Sequence, residues 1–344
     1  MKKVALSYIV IAALAVATVF TSCEKIELVE IDVYMAGSEG NYAVVWINGI
    51  PHDLLPGGTN FAVANSVYVS DYDEYVAGYV NNSIGAANRN IATLWINGEQ
   101  QYLADNTLST VATSVFVSGS DVYVTGYVES TSGLAMLWKN GVRQNLKIGG
   151  ISSEAHSVYI SNGDVYVAGN QGKFAVIWKN GEQQNLTDGI NMAVATSVFV
   201  SKHDVYVTGY EEYYEEGRET PVSAARLWKN GIIQNLSDRE EAFGGSGGSA
   251  TSVYVSGNDV YVTGIIAYTA RLWKNGVVQN LAAADRNVIT MSNANSVYVF
   301  GNDVYVAGGH GGKFAALWNN GILHHLTDGS FSPAKANSVF VLKK

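Results

Sequence analysis

Residues 252–281 read SVYVSGNDVYVTGIIAYTARLWKNGVVQNL. Four short runs rich in Val, Tyr, Ile and Trp are bounded by Gly, Asn and Asp, which is the chemistry of strands and their turns. The corner from Ser256 to Asp259 and the Asn275-Gly276 pair are both tight, and Asn-Gly between apolar runs is the strongest short hairpin signal.

The same unit recurs along the chain. A Ser-Val-aromatic-(Val/Ile) run starts at Ser66, Ser114, Ser157, Ser197, Ser252, Ser296 and Ser338. An aspartate follows seven residues after each of the first six, at Asp73, Asp121, Asp164, Asp204, Asp259 and Asp303, and Asp32 opens a seventh copy of that second run. All seven tryptophans sit in Trp-x-Asn-Gly, at Trp46, Trp95, Trp138, Trp178, Trp228, Trp273 and Trp318, each with a leucine eight residues on. Four strands in about 45 residues is the signature of a propeller blade. A solenoid would need atypical end repeats, and none appears.

Loop length orders the strands. Adjacent strands lie about 4.8 Å apart, so stepping from a blade's outermost strand to the next blade's innermost one spans at least ~14 Å. Neither tight corner can do that. The stretch from the leucine to the next Ser-Val, 10 to 15 residues, is the only link that is always long. The expected order from hub to rim is therefore Ser-Val strand, Asp-Val strand, Trp strand, leucine strand. Because the chain enters at a second strand (Asp32) and ends on a spare first strand (Ser338 to Val341), that last strand should complete the first blade. The expectation is an all-β, seven-bladed propeller over residues 31–344, its ring closed by the C-terminal strand, which leaves no open sheet edge at the seam.

The two hairpin corners keep their length and define a constant face. At the opposite end, the distance from the second-strand glycine to the tryptophan runs 9, 17, 12, 9, 19, 9 and 10 residues. Variable loops on a rigid scaffold are where binding usually resides. Candidate ligand-binding residues on this variable face are Asn81, Asn82 and Arg89 in one long insertion. Tyr213, Tyr214 and Arg218 lie in another, and His310 sits in a Gly-rich loop. Glu129, Glu154 and Asp285, from separate loops, could converge above the hub at the 5 to 10 Å that glycosidases use. The repeated aspartates are expected to accept backbone N–H bonds at the corners, and the tryptophans to pack between blades. His324 and His325 are successive strand residues pointing to opposite faces, so a shared metal is not expected. No cofactor, metal motif or phosphate loop is read, and no serine–histidine–aspartate order or sialidase-type Ser-x-Asp-x-Gly-x-x-Trp box appears.

The remaining sequence bears on location. Lys2 and Lys3 precede an apolar run from Val4 to Phe20, then Thr21, Ser22 and Cys23, the only cysteine. That order resembles a bacterial lipoprotein signal, with residues 1–22 removed, Cys23 lipidated and residues 23–30 a tether. An uncleaved anchor is the competing reading, since 17 residues is near the lower limit for spanning. The implied location is the cell envelope, with the outer membrane favoured over the inner. Both ends of the ring should emerge on the constant face, which would then lie towards the membrane, with the lipid within ~28 Å. Without residues 1–22 the chain carries 19 basic and 30 acidic residues, about −11, which argues against nucleic acid as a partner.

The Tyr-Val-(Ala/Thr)-Gly strand and the Trp-Lys-Asn-Gly turn (Trp138 to Gly141, Trp273 to Gly276) resemble repeats of secreted bacterial propeller lipoproteins. They are loosely similar to kelch and Tyr-Val-Thr-Asn propellers, without the kelch Gly-Gly doublet in every blade. The resemblance implies fold and export and carries no catalytic residue. The expected function is non-enzymatic binding or scaffolding of a glycan or protein on the variable face. The alternative is a carbohydrate-active hydrolase or lyase using carboxylates over the hub.

Overall fold

A computed structural model of the protein describes residues 29–344 except 56–60, 83–87, 106, 132, 145, 147–148, 215–219, 238–246, 282–290 and 332. Cys23, Arg218 and Asp285, together with the apolar run from Val4 to Phe20, lie outside the described residues. Twenty-eight strands, β1–β28 in chain order, form seven antiparallel four-stranded sheets. Blade 1 comprises β28 (Ala334–Lys343), β1 (Ile31–Glu39), β2 (Tyr42–Ile47) and β3 (Ile50–Asp53). Blades 2 to 7 occupy 62–102, 110–144, 153–185, 193–235, 248–280 and 292–325.

The C-terminal strand closes the ring as expected. β28 runs antiparallel to β1, with Met35 opposite Val339 and Val33 opposite Val341. Lys344 N donates to Glu30 O at 2.9 Å and its Nζ lies 3.0 Å from Asp32 Oδ1, so the first and last strands of the ring meet at the constant face.

At that face, each Asn-Gly corner has both residues at positive φ, as in Asn180 (52°) and Gly181 (83°), which is the primed turn matched to strand twist. The expected role of the aspartates is corrected here. The asparagine Oδ1, not the aspartate, accepts the second-strand N–H (Val165 N to Asn180 Oδ1, 2.8 Å), because its side chain folds back over the corner. The aspartate accepts the asparagine amide instead (Asn180 Nδ2 to Asp164 Oδ1, 2.7 Å). This clamp joins the two hairpins of a blade in all seven copies. In blades 3 to 6 a lysine caps the aspartate at 2.7–2.8 Å and lies over the second-strand tyrosine.

Packing is between blades rather than within one central core. Each apolar cluster spans two neighbours: Leu137 and Leu146 of blade 3, for example, meet Val158, Val167 and Trp178 of blade 4. All seven tryptophans are buried at such seams, and Trp273 Nε1 donates across one of them to Leu236 O at 2.9 Å. The repeated leucine lies just past the short outer strand rather than in it. In most blades its N–H still bonds the third strand, as in Leu186 N to Ala175 O.

The inner strands form three stacked rings. Every one carries a one-residue bulge just before the repeated serine, as between Ala155 and Ser157. The serine Oγ then accepts the valine N–H of the next blade, from Val67 on Ser338 to Val339 on Ser296, completing the circle. Two residues further, Tyr68, Phe116, Tyr159, Phe199, Tyr254, Tyr298 and Phe340 make a closed aromatic collar with centroids 4.7–5.1 Å apart. Burial, and then the Tyr298 and Tyr159 hydroxyls one place further round the collar, push the Tyr68 hydroxyl up to about 12. The bulge explains the glycine of the Tyr-Val-(Ala/Thr)-Gly motif. A Cβ at Gly169 would stand 2.0 Å from Glu154 O, the inner-strand carbonyl beside the bulge, and 2.9 Å from the Trp178 ring.

Candidate functional site

Because the inner strand runs from the variable face to the constant one, its bulge residue lies above the aromatic collar, on the variable side. Six of the seven bulge residues send their side-chain N–H or O–H into the next blade. Asn65 donates to Ala112 O, Thr113 to Ala155 O, Thr196 to Ala250 O, Thr251 to Ala294 O, Asn295 to Ala336 O and Asn337 to Ala64 O, all at 2.7–2.9 Å. The seventh is His156. Its Nε2 turns to Asn170 Oδ1 at 3.1 Å and stands 3.6 Å from Glu154 Oε2. Burial holds its imidazole below the ordinary histidine value, against the pull of Glu154.

This break in the ring borders a cavity of about 330 Å³ at the hub mouth, lined by Asn65, Tyr79, Val111, Thr113, Tyr127, Glu129, His156 and Asn337. That volume is at the small end of ligand pockets. Tyr79 and Tyr127 both follow the second-strand glycine, and Tyr210 holds the same place in blade 5. Tyr127 meets the His156 ring edge-on at 6.1 Å. Its hydroxyl is pushed up to about 12, chiefly by burial and then by the charges of Glu154 and Glu129. Burial and Glu129 raise Tyr79, and burial, Glu212 and Glu154 raise Tyr210. The three phenols therefore stay protonated at neutral pH, with glutamates between them.

The sequence-predicted residues divide between several places. Glu129 lines the cavity and Glu154 stands 3.6 Å from His156 on its wall, and both charges raise the Tyr127 hydroxyl. Glu129 is fixed by neutral donors: Asn90 Nδ2 and Ser109 Oγ each reach its Oε2 at 2.7 Å. Asn81 belongs to this network, its Nδ2 donating to Asn90 Oδ1 at 2.9 Å, while Asn82 and Arg89 pair in register at the tip of the same hairpin. Tyr213 is engaged within blade 5, bonded to Glu211 and to Arg226 Nη2 (2.6 Å), beside an Arg226–Glu211 ion pair at 3.4 Å. Tyr214 projects into solvent. His310 meets His325 on blade 7, Nδ1 to Nε2 at 3.0 Å, and His325 stacks on Phe314. Burial lowers both imidazoles, and His325 adds to the effect on His310. Among the described residues no group of three or more His, Cys, Asp or Glu side chains is placed to hold a metal ion.

Sequence reading missed His156, Tyr79 and Tyr127. The signal for the histidine was present: aligned on Ser-Val, the preceding position holds Asn, Thr, His, Thr, Thr, Asn and Asn, and only one of these ionises.

No family model matches the chain, and no curated protein sequence matches it. Among solved structures it is similar to the computationally designed Ika8 protein, at 17% identity, covering 90% of this chain and 93% of that one with a TM-score of 0.47. It is also similar to the Dos1 propeller (13% identity, 86% and 75% covered, TM-score 0.43). A third similar structure is a GH43_1 enzyme from Xanthomonas citri complexed with xylose (12% identity, 81% and 95% covered, TM-score 0.40). At these identities and TM-scores the likenesses carry no functional argument.

Proposed function

We propose that the protein is a cell-envelope binding propeller, tethered through lipid on Cys23, that holds a glycan at the hub mouth of its variable face. The observation that carries this reading is the cavity with Tyr79 and Tyr127 on its wall and Glu129 fixed beside them. Aromatic faces stack on the apolar faces of sugar rings, and a positioned carboxylate accepts hydroxyl hydrogens, a pairing suited to carbohydrate. The tether leaves this face turned away from the membrane, within reach of envelope glycans.

A second reading is favoured by one observation, that the charges of Glu129 and Glu154 both act on the Tyr127 hydroxyl. Two carboxylates across a sugar would supply the acid and base of glycoside cleavage. Screening the chain from residue 24, which contains the whole ring, on immobilised glycans tests both readings. The binding reading expects retention of at least one glycan class without turnover, and a loss of about tenfold or more in Tyr127→Ala. Release of reducing ends, abolished in Glu129→Gln, would replace it with the enzymatic reading. Absence of both retention and turnover would overturn each.

A further inference from the structure

The interblade bonds that hold the hub together also decide what its mouth presents to a ligand. Asn65 and Asn337 spend an amide hydrogen on Ala112 O and Ala64 O, and Thr113 spends its hydroxyl hydrogen on Ala155 O. Asn65 Oδ1 and Asn337 Oδ1 receive no protein donor among the described residues, while Thr113 Oγ1 lies 3.3 Å from the Thr125 hydroxyl. His156 repeats the pattern. Its Nε2 faces an acceptor, Asn170 Oδ1, so Nε2 carries the hydrogen and Nδ1 keeps a lone pair. Glu129 adds carboxylate oxygens to the lining, and Glu154 stands at its edge, 3.6 Å from the His156 imidazole; among the described residues neither has Lys or Arg within ion-pair distance. The cavity is thus a bowl of hydrogen-bond acceptors with negative charge on one side, and the phenols supply the donors on its wall. Such a lining complements a ligand that is cationic and rich in donors. It repels carboxylated or sulfated sugars, because like charge in a confined site costs more than in water.

We propose that the hub mouth selects the protonated amino group of an amino sugar, a hexosamine whose nitrogen is free rather than acylated. The ammonium would sit between Glu129 and Glu154 against the face of Tyr127, using charge-assisted bonds and cation–π attraction together. The sugar ring supplies hydroxyl donors for the oxygens of Asn65 and Asn337. This inference rests on the glycan reading above and narrows it to one class of sugar.

Titration calorimetry with the glucosamine tetramer, its fully N-acetylated counterpart, a neutral glucan oligomer and a lysine-rich peptide tests it. The expected result is binding of the free amino sugar about tenfold or more tighter than the acetylated one. That preference should fall to within about twofold in Glu129→Gln/Glu154→Gln, while the unfolding midpoint confirms that the variant is folded. Tyr127→Phe, which keeps the ring, should retain the preference. Equal or tighter binding of the acetylated or neutral oligomer would overturn the inference and leave the glycan reading standing. Failure of every sugar would overturn both, and binding of the peptide alone would assign the acceptor bowl to a protein ligand.

Discussion

His156 is where the repeat gives up regularity at the hub mouth. In blades 3, 5 and 6 the same bulge position is threonine, and its hydroxyl ties the blade to the next one. His156 makes no such bond to Ala195 O, which occupies the corresponding place in blade 5. His156→Thr should restore it and raise stability by about 1 kcal/mol, the net value of one interblade hydrogen bond, while weakening glycan binding. Sites that sacrifice stability for function behave in this way. The histidine also sets a pH dependence. Its folded imidazole titrates below the ordinary 6.5, as do His310 and His325. The unfolded chain therefore takes up protons first as pH falls. Their contribution is fully present above about 6.5 and is lost as pH drops from there through the folded values. Unfolding midpoints between pH 7.5 and 5 should decline, with a shallower slope in His156→Thr; an identical slope would remove His156 from the account. At this scale the acids were legible, because Glu129 and Glu154 sit in the loops at the variable end of the strands. Tyr79 and Tyr127 were not, since a tyrosine in a strand looks like packing until the bulge shows which residues face the channel.

At the scale of the hairpin, the clamp between Asn180, Asp164 and the backbone of Val165 accounts for the most regular motif in the chain. Asn180→Ala loses both bonds and forces alanine into the left-handed region, so it should cost about 1–3 kcal/mol. Chemical denaturation checks this: the midpoint should fall with an unchanged slope. Gln183→Ala, on the neighbouring outer strand, should stay within about 0.5 kcal/mol. The corners and the strand order were readable because each depends on local turn chemistry and on loops too short to span a blade. The bulge was hidden, since it precedes the serine and leaves the spacing to the aspartate unchanged. Its indirect trace was the second-strand glycine, whose missing side chain makes room for the inner-strand carbonyl. The aspartates were correctly read as structural, but their partner is the asparagine amide, a contact between two hairpins that local turn rules do not supply.

At the scale of the molecule, seven units packed only against neighbours gain their stability from closure, and each of the three hub rings of bonds or aromatics passes through the last strand. Phe340 touches both Tyr68 and Tyr298, Ser338 serves Val67, and Asn337, which lines the cavity, reaches Ala64. The seam therefore holds the proposed ligand site in shape as well as the ring. This much was legible, because the repeats open on a second strand at Asp32 and close on a spare first one at Ser338, so the strands divide into blades without remainder. The loop lengths separated the variable face from the constant one, whereas the lining of the proposed site required the register of the inner strands. Hydrogen exchange at the amides of β28 tests the closed ring most directly. Val339 and Val341 should exchange as slowly as Val158 and Ile160 at the same depth of blade 4; exchange faster by orders of magnitude, with blade 4 still protected, would contradict the closed ring and the hub mouth built on it.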